Sequence, residues 1–173
     1  ALDTGRSSRA TMRGKAHRYG DHLDTDQIIS GQFTKTLDID ELASHVLEFL
    51  DPDFRTRMNS GDFVVAGENF GCGSSREQAP VALKAAGVAG VVASSFARIF
   101  FRNAINIGLP VLEIGPHDIA NENELDIDMD SGTVTDLTTG QTYQASKMPR
   151  VMQEILQEGG LTAYLKKHGD YDL

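Results

Sequence analysis

The stretch from Gly61 to Ile114 leaves few folds open. It holds three short apolar runs, Phe63-Val64-Val65-Ala66, Val88-Ala89-Gly90-Val91-Val92-Ala93 and Leu109-Pro110-Val111-Leu112-Glu113-Ile114. The second of these shows no polar–apolar alternation, as expected of a strand covered on both faces. Between the runs lie two segments of helical character, Arg76 to Ala86 and Phe96 to Ile107. Gly87 breaks the first, and Gly108 stands where a left-handed residue closes the second. Strand–helix–strand–helix–strand with short links is a βαβαβ unit, which demands a parallel sheet with right-handed crossovers.

The rest of the chain completes one α/β domain around that unit. Met12 to Tyr19 predicts a first strand. Gly20 to Asp26 is dense in turn formers, and four of its seven residues are Asp or His. Metal binding is weighed there, but the calcium-loop pattern fails for want of a glycine and a distal glutamate at the required spacing. Asp38 is an N-cap candidate with Glu41 at capping-box spacing. Ile39, Leu42, Ala43, Val46, Leu47 and Leu50 then make one apolar helical face, stopped by Asp51-Pro52. Past Ile114, the strict alternation of Glu124 to Met129 marks a half-exposed strand. Turn signals at Ser131-Gly132 and Thr139-Gly140 separate it from strands over 133–137 and 141–145, an antiparallel meander. Pro149 suits the first position of a helix, Gly159-Gly160 ends it, and Leu161 to His168 forms a last short helix. The expected organisation is a flexible lead-in over 1–11 and one domain over 12–173.

Composition narrows function by exclusion. A chain of 173 residues with 40% hydrophobic and 24% charged residues can bury a core of its own. Its net charge of −9 argues against nucleic acid and anionic membrane as partners. No apolar run approaches the roughly 20 residues that span a bilayer, and residues 1–11 show no secretory pattern, so a cytoplasmic protein is expected. The single cysteine, Cys72, cannot form an internal disulfide or hold an iron–sulfur cluster alone.

The chemistry concentrates in Gly67-Glu68-Asn69-Phe70-Gly71-Cys72-Gly73-Ser74-Ser75-Arg76-Glu77, between the first apolar run and its helix. A glycine-rich strand-to-helix turn aims backbone N–H groups at whatever sits above it, which makes it an anion site. The dinucleotide fingerprint fails because Arg76 stands where a third glycine belongs. The P-loop and nucleophile-elbow patterns fail as well. Ser74 with Glu77, or Ser75 with Gln78, has capping-box spacing, so one serine can be spent on capping while the other faces the space above. Arg76 in a first helical turn opposes the helix dipole unless an anion sits between it and the N–H groups. Cys72 reads as a small residue filling a tight turn.

Three stretches together resemble one family: Asp24-Thr25-Asp26-Gln27-Ile28-Ile29, the glycine-rich turn above, and Ser95-Phe96-Ala97-Arg98-Ile99-Phe100. The combination is similar to the small subunits of 3-isopropylmalate dehydratases, relatives of the aconitase swivel domain, over about residues 12–167. The resemblance implies a swivelling β/β/α-type domain with a parallel βαβαβ core, antiparallel strands and C-terminal helices. It implies a hydro-lyase of leucine biosynthesis, active only with a large subunit that carries a [4Fe-4S] cluster, this chain holding no metal. It implies that Ser74 removes the proton beside a carboxylate and that Asp26 assists the hydrogen-bond network. Ser75 and Arg76 would hold a substrate carboxylate, with Lys35 and Thr36 added from the loop after the Asp-Thr-Asp motif. That loop departs from the family's Tyr-Leu-Arg-Thr: here it is Phe33-Thr34-Lys35-Thr36, and Lys35 offers a point charge rather than a fork. Homoaconitate, citraconate or dimethylmalate chemistry, or carboxylate binding and docking without catalysis, stays open beside isopropylmalate. The substrate is in each case a small di- or tricarboxylic 2-hydroxy acid. The loop from Gln32 to Leu37 is expected to be mobile without its partner, and the isolated chain could self-associate.

Overall fold

The structure, a computed structural model, describes residues 11–168. The expected lead-in lies outside them except for Thr11, which opens the first strand. Seven strands form one sheet in the order β4-β3-β2-β1-β5-β6-β7. β1 (Thr11–Arg18), β2 (Phe63–Ala66), β3 (Gly90–Ala93) and β4 (Val111–Glu113) are parallel, as the βαβαβ reading requires. β5 (Glu124–Asp128), β6 (Thr133–Asp136) and β7 (Thr142–Gln144) form the expected meander. β5 joins β1 antiparallel, with Met12 opposite Ile127, and so welds the two halves into one mixed sheet.

Side-chain alternation along these strands feeds two cores. Val64, Ala66, Val91 and Ala93 face a large core shared with the helices. Phe63, Val65, Val92 and Leu112 face a smaller one completed by Leu125, Ile127 and Val134 of the meander. The sheet therefore curls until its antiparallel half covers the face that the helices leave open. This is why β2 and β3 are buried along their whole length. Each fully buried Val there contributes about 1.5–3 kcal/mol.

The helices are α1 (Thr25–Ile28), α2 (Ile39–Ser44), α3 (Phe54–Arg57), α4 (Gln78–Ala85), α5 (Arg98–Asn106), α6 (Arg150–Glu158) and α7 (Leu161–His168). α4 and α5 are the crossovers of the parallel unit. Two expectations need correction. The helix opened by Asp38 stops at Ser44 rather than running to Leu50. Leu47 instead turns left-handed, with φ of 55°, and donates its N–H to the Ile28 carbonyl at 2.7 Å. A tertiary hydrogen bond wins over helical continuation, so Val46 and Leu47 are buried while Ile39 and Leu50 stay exposed. Pro149 is the N-cap of α6, not its first residue.

A polar network ties β1 to the approach to β2. His17, 1% exposed, meets Asp62 Oδ2 through Nε2 at 2.8 Å, and Arg57 donates to its Nδ1 at 3.3 Å. Arg57 also grips Asp51, which accepts the Tyr19 hydroxyl at 2.7 Å. Burial and the Asp51 carboxylate push the Tyr19 phenol far up, and the Arg57 guanidinium holds the Asp51 carboxyl below its ordinary range.

Candidate active site

The glycine-rich turn is fixed by backbone bonds to loops on both sides. Gly67 donates to the Gly20 carbonyl, and Asp21 accepts the Glu68 N–H at 2.8 Å. Gly71 donates to Leu23, Thr25 to Cys72, and Phe70 to Ser95. These bonds carry the parallel pairing past the strand ends, as bridges between Asp24 and Cys72 and between Phe70 and Phe96. Beneath them His117 donates from Nε2 to the carbonyl of Ala66, the last residue of β2. Gly71 cannot be replaced cheaply: its φ is +83°, and a Cβ would run into the Phe100 ring.

Neither serine caps the helix. α4 begins at Gln78, with Glu77 at the N-cap and no side chain bound there, so neither capping box allowed by the spacing forms. The Ser74 carbonyl accepts the Thr25 hydroxyl at 2.7 Å rather than a helical N–H. Ser74 and Ser75 consequently stand exposed, their hydroxyls without a hydrogen-bond partner among the described residues. Arg76 precedes the helix instead of opening it. Its Nη2 pairs with Asp26 Oδ1 at 2.6 Å, its Nη1 lies against Gly31, and its buried Nε is unpartnered. An internal carboxylate thus answers the guanidinium that sequence reasoning assigned to an external anion, and Asp26 and Arg76 meet across 50 positions of chain.

Ser74, Ser75 and Arg76 line a cavity of about 380 Å³ whose far wall is Ala97, Arg98, Ile99, Phe100 and Asn103. Ala97 is the N-cap of α5 and offers no capping side chain, so the first N–H groups of α5 stand at this wall with the positive end of the helix dipole. Lys35 and Thr36 do not line this cavity. They follow the 3-10 turn Gly31–Phe33, and the Thr36 hydroxyl is spent on Glu41 at 2.8 Å. The loop is tied down at Phe33, whose ring stacks on His45 with centroids 3.6 Å apart. Arg98 and Asn103 are the cavity residues that sequence reasoning passed over. Arg98 sat inside the Ser95–Phe100 stretch, and its place at a helix start after a strand was the available signal. Cys72 is half-buried and contributes its carbonyl. Among the described residues no group of three or more His, Cys, Asp or Glu could hold a metal ion.

Known proteins share this arrangement. Residues 32–116 match the aconitase C-terminal domain family. The 2,3-dimethylmalate dehydratase small subunit of Eubacterium barkeri is 51% identical over 156 residues, covering 88% of this chain and 95% of that protein. The 3-isopropylmalate dehydratase small subunit of Ruminiclostridium cellulolyticum is 50% identical, covering 89% of this chain and 96% of that protein. The chain belongs to the 3-isopropylmalate dehydratase small-subunit family. The crystal structure of a 3-isopropylmalate dehydratase from Methanocaldococcus jannaschii superposes with a TM-score of 0.88 at 43% identity, covering 94% of this chain and 97% of that one. The small-subunit fold of the family is thus the fold described above: a curled seven-stranded sheet with its helices on one face.

Proposed function

We propose that this chain is the small subunit of a cytoplasmic, heteromeric hydro-lyase that interconverts 2-isopropylmalate and 3-isopropylmalate by dehydration and rehydration. The observation that carries this reading is the pair of free serine hydroxyls beside a fixed arginine at the mouth of the cavity. In this reading a large subunit brings the [4Fe-4S] cluster, whose Lewis acidity acts on the substrate hydroxyl and a carboxylate.

This chain supplies the rest. Ser74 Oγ takes the proton from the carbon next to a carboxylate, and returns it in rehydration. A serine is a weak base, so the alkoxide needs positive potential around it; the uncapped α5 start and Arg76 supply that field. Ser75 and Arg76 hold the carboxylate, and Asp26 positions Arg76. Lys35 and Thr36 act from the rim of the assembled site, on the substrate's variable end.

A second reading takes dimethylmalate as substrate, since a 2,3-dimethylmalate dehydratase small subunit is as similar to this chain, at 51% identity, as isopropylmalate small subunits are at 50% and 52%. Thr34 also makes the loop less apolar than an isopropyl group would prefer. Anaerobic reconstitution with the large subunit, followed by kcat/KM on each acid, separates the two. Isopropylmalate is expected to lead, and exchanging residues 33–36 for Tyr-Leu-Arg-Thr should raise its lead further. No gain of activity on mixing the subunits would refute both readings.

A further inference from the structure

Several cations of the described residues pair with an acid, Arg13 with Asp126, Arg57 with Asp51, Arg76 with Asp26, Arg150 with Glu154 and Lys167 with Glu158, and Arg18, Arg55 and Lys84 donate to backbone carbonyls. Five exposed cations have neither an ion pair nor a side-chain hydrogen bond among the described residues: Lys15 and Lys35, each away from the others, and the trio Arg98, Arg102 and Lys147. In a chain of net charge −9 that is not for lack of acids. All three line one open groove of about 420 Å³, between the first turns of α5, the end of β4 and the linker into α6. Its single acid is Glu113, which accepts the Phe96 N–H at 3.2 Å. The groove also has an apolar floor of half-buried Phe96, Phe101 and Met152. Arg98 lines the Ser74 cavity as well, so the groove is continuous with the candidate active site.

We propose that this groove docks an acidic segment of the large subunit, one whose carboxylates meet Arg98, Arg102 and Lys147 while an apolar side chain rests on the phenylalanines. The inference rests on the reading that the chain works with such a subunit. A cationic rim around an aromatic floor suits a peptide better than a small hydrophilic acid, which has little apolar surface to bury. A second copy of this chain is a poor occupant, since it brings the same −9 charge. Charge complementarity here would speed and orient docking at the edge of the cavity that the partner must complete.

The test is the affinity of the purified chain for its large subunit, measured anaerobically at low and high salt. Arg102→Glu and Lys147→Glu should each weaken assembly at least tenfold at low salt, with the gap closing as salt rises. Arg102→Lys should restore most of it. Lys15→Glu, an equal charge change on exposed β1, should leave assembly unchanged, and kcat at saturating large subunit should hold in all variants. Equal affinity of the reversed variants and wild type overturns the inference. So does a fall in kcat/KM at unchanged affinity, which would assign these cations to steering substrate. Failure of the wild-type chain to assemble or turn over would instead overturn the functional reading beneath it.

Discussion

The turn over 67–77 and the segment over 31–50 meet at Arg76, yet they are held in opposite ways. The turn is bound by backbone hydrogen bonds to the 20–25 and 94–97 loops, and what it leaves free is two hydroxyls. The segment depends more on side chains, Phe33 stacked on His45, the Asp38 cap and the Gln78 amide on the Thr34 carbonyl, with a backbone bond from Leu47 to Ile28 near its end. It exposes apolar surface, with Leu37 98% and Phe49 66% accessible. The groups proposed to do the chemistry sit on backbone held at many points. Residues proposed to tell one acid from another sit on backbone held by a few side-chain contacts, where exchange disturbs little else.

The largest effect expected from this contrast is kinetic. Ser74→Ala should lower turnover of the reconstituted enzyme by about 10²–10⁴-fold while leaving assembly and melting of the chain unchanged, because the hydroxyl makes no hydrogen bond among the described residues. Next is Gly71→Ala, which adds left-handed strain to a collision with Phe100; denaturant titration should show a loss of about 2–4 kcal/mol. A loss below about 1 kcal/mol would mean that the turn is softer than its bonds suggest.

Acid should strike the scaffold beneath both regions. Burial pushes the Asp62 carboxyl up, but N–H groups of Asn59 and Lys15 and the His17 ring outweigh it, and the carboxyl is held below its ordinary value. Its folded value being lower, the stability it contributes is fully present above the unfolded value of about 4 and is lost as pH falls through the folded one. Unfolding titrations between pH 5 and pH 3 should show that decline, and Asp62→Asn should reduce it while costing about 1–3 kcal/mol at neutral pH. The smallest effects belong to the exposed segment. Leu37→Ser or Phe49→Ser in the isolated chain should change stability by no more than about 0.5 kcal/mol.

The contrast also shows where reading the sequence worked. Runs such as Val91-Val92-Ala93 sit in strands whose two faces are both covered, so their lack of alternation reported the topology directly. The turn was legible for the same reason: glycines with positive φ are a local demand. What escaped were contacts between distant positions. The early end of α2 goes with the Leu47 bond to the Ile28 carbonyl, and the late start of α4 with the Thr25 hydroxyl bound to the Ser74 carbonyl, neither visible from propensity. The pairing of Arg76 with Asp26 was hidden likewise, since Arg76 read alone as awaiting an external anion and Asp26 as part of a hydrogen-bond network. Arg98 was overlooked because its stretch served as a motif rather than as one wall of a cavity.

Hydrogen exchange at the substrate carbon tests the central claim most directly. The reconstituted enzyme, incubated anaerobically in deuterium oxide, should incorporate deuterium next to the carboxylate with wild-type chain and lose that exchange with Ser74→Ala, although the variant assembles equally well. Exchange at the wild-type rate in the Ser74→Ala complex would contradict the assignment of the proton to this turn.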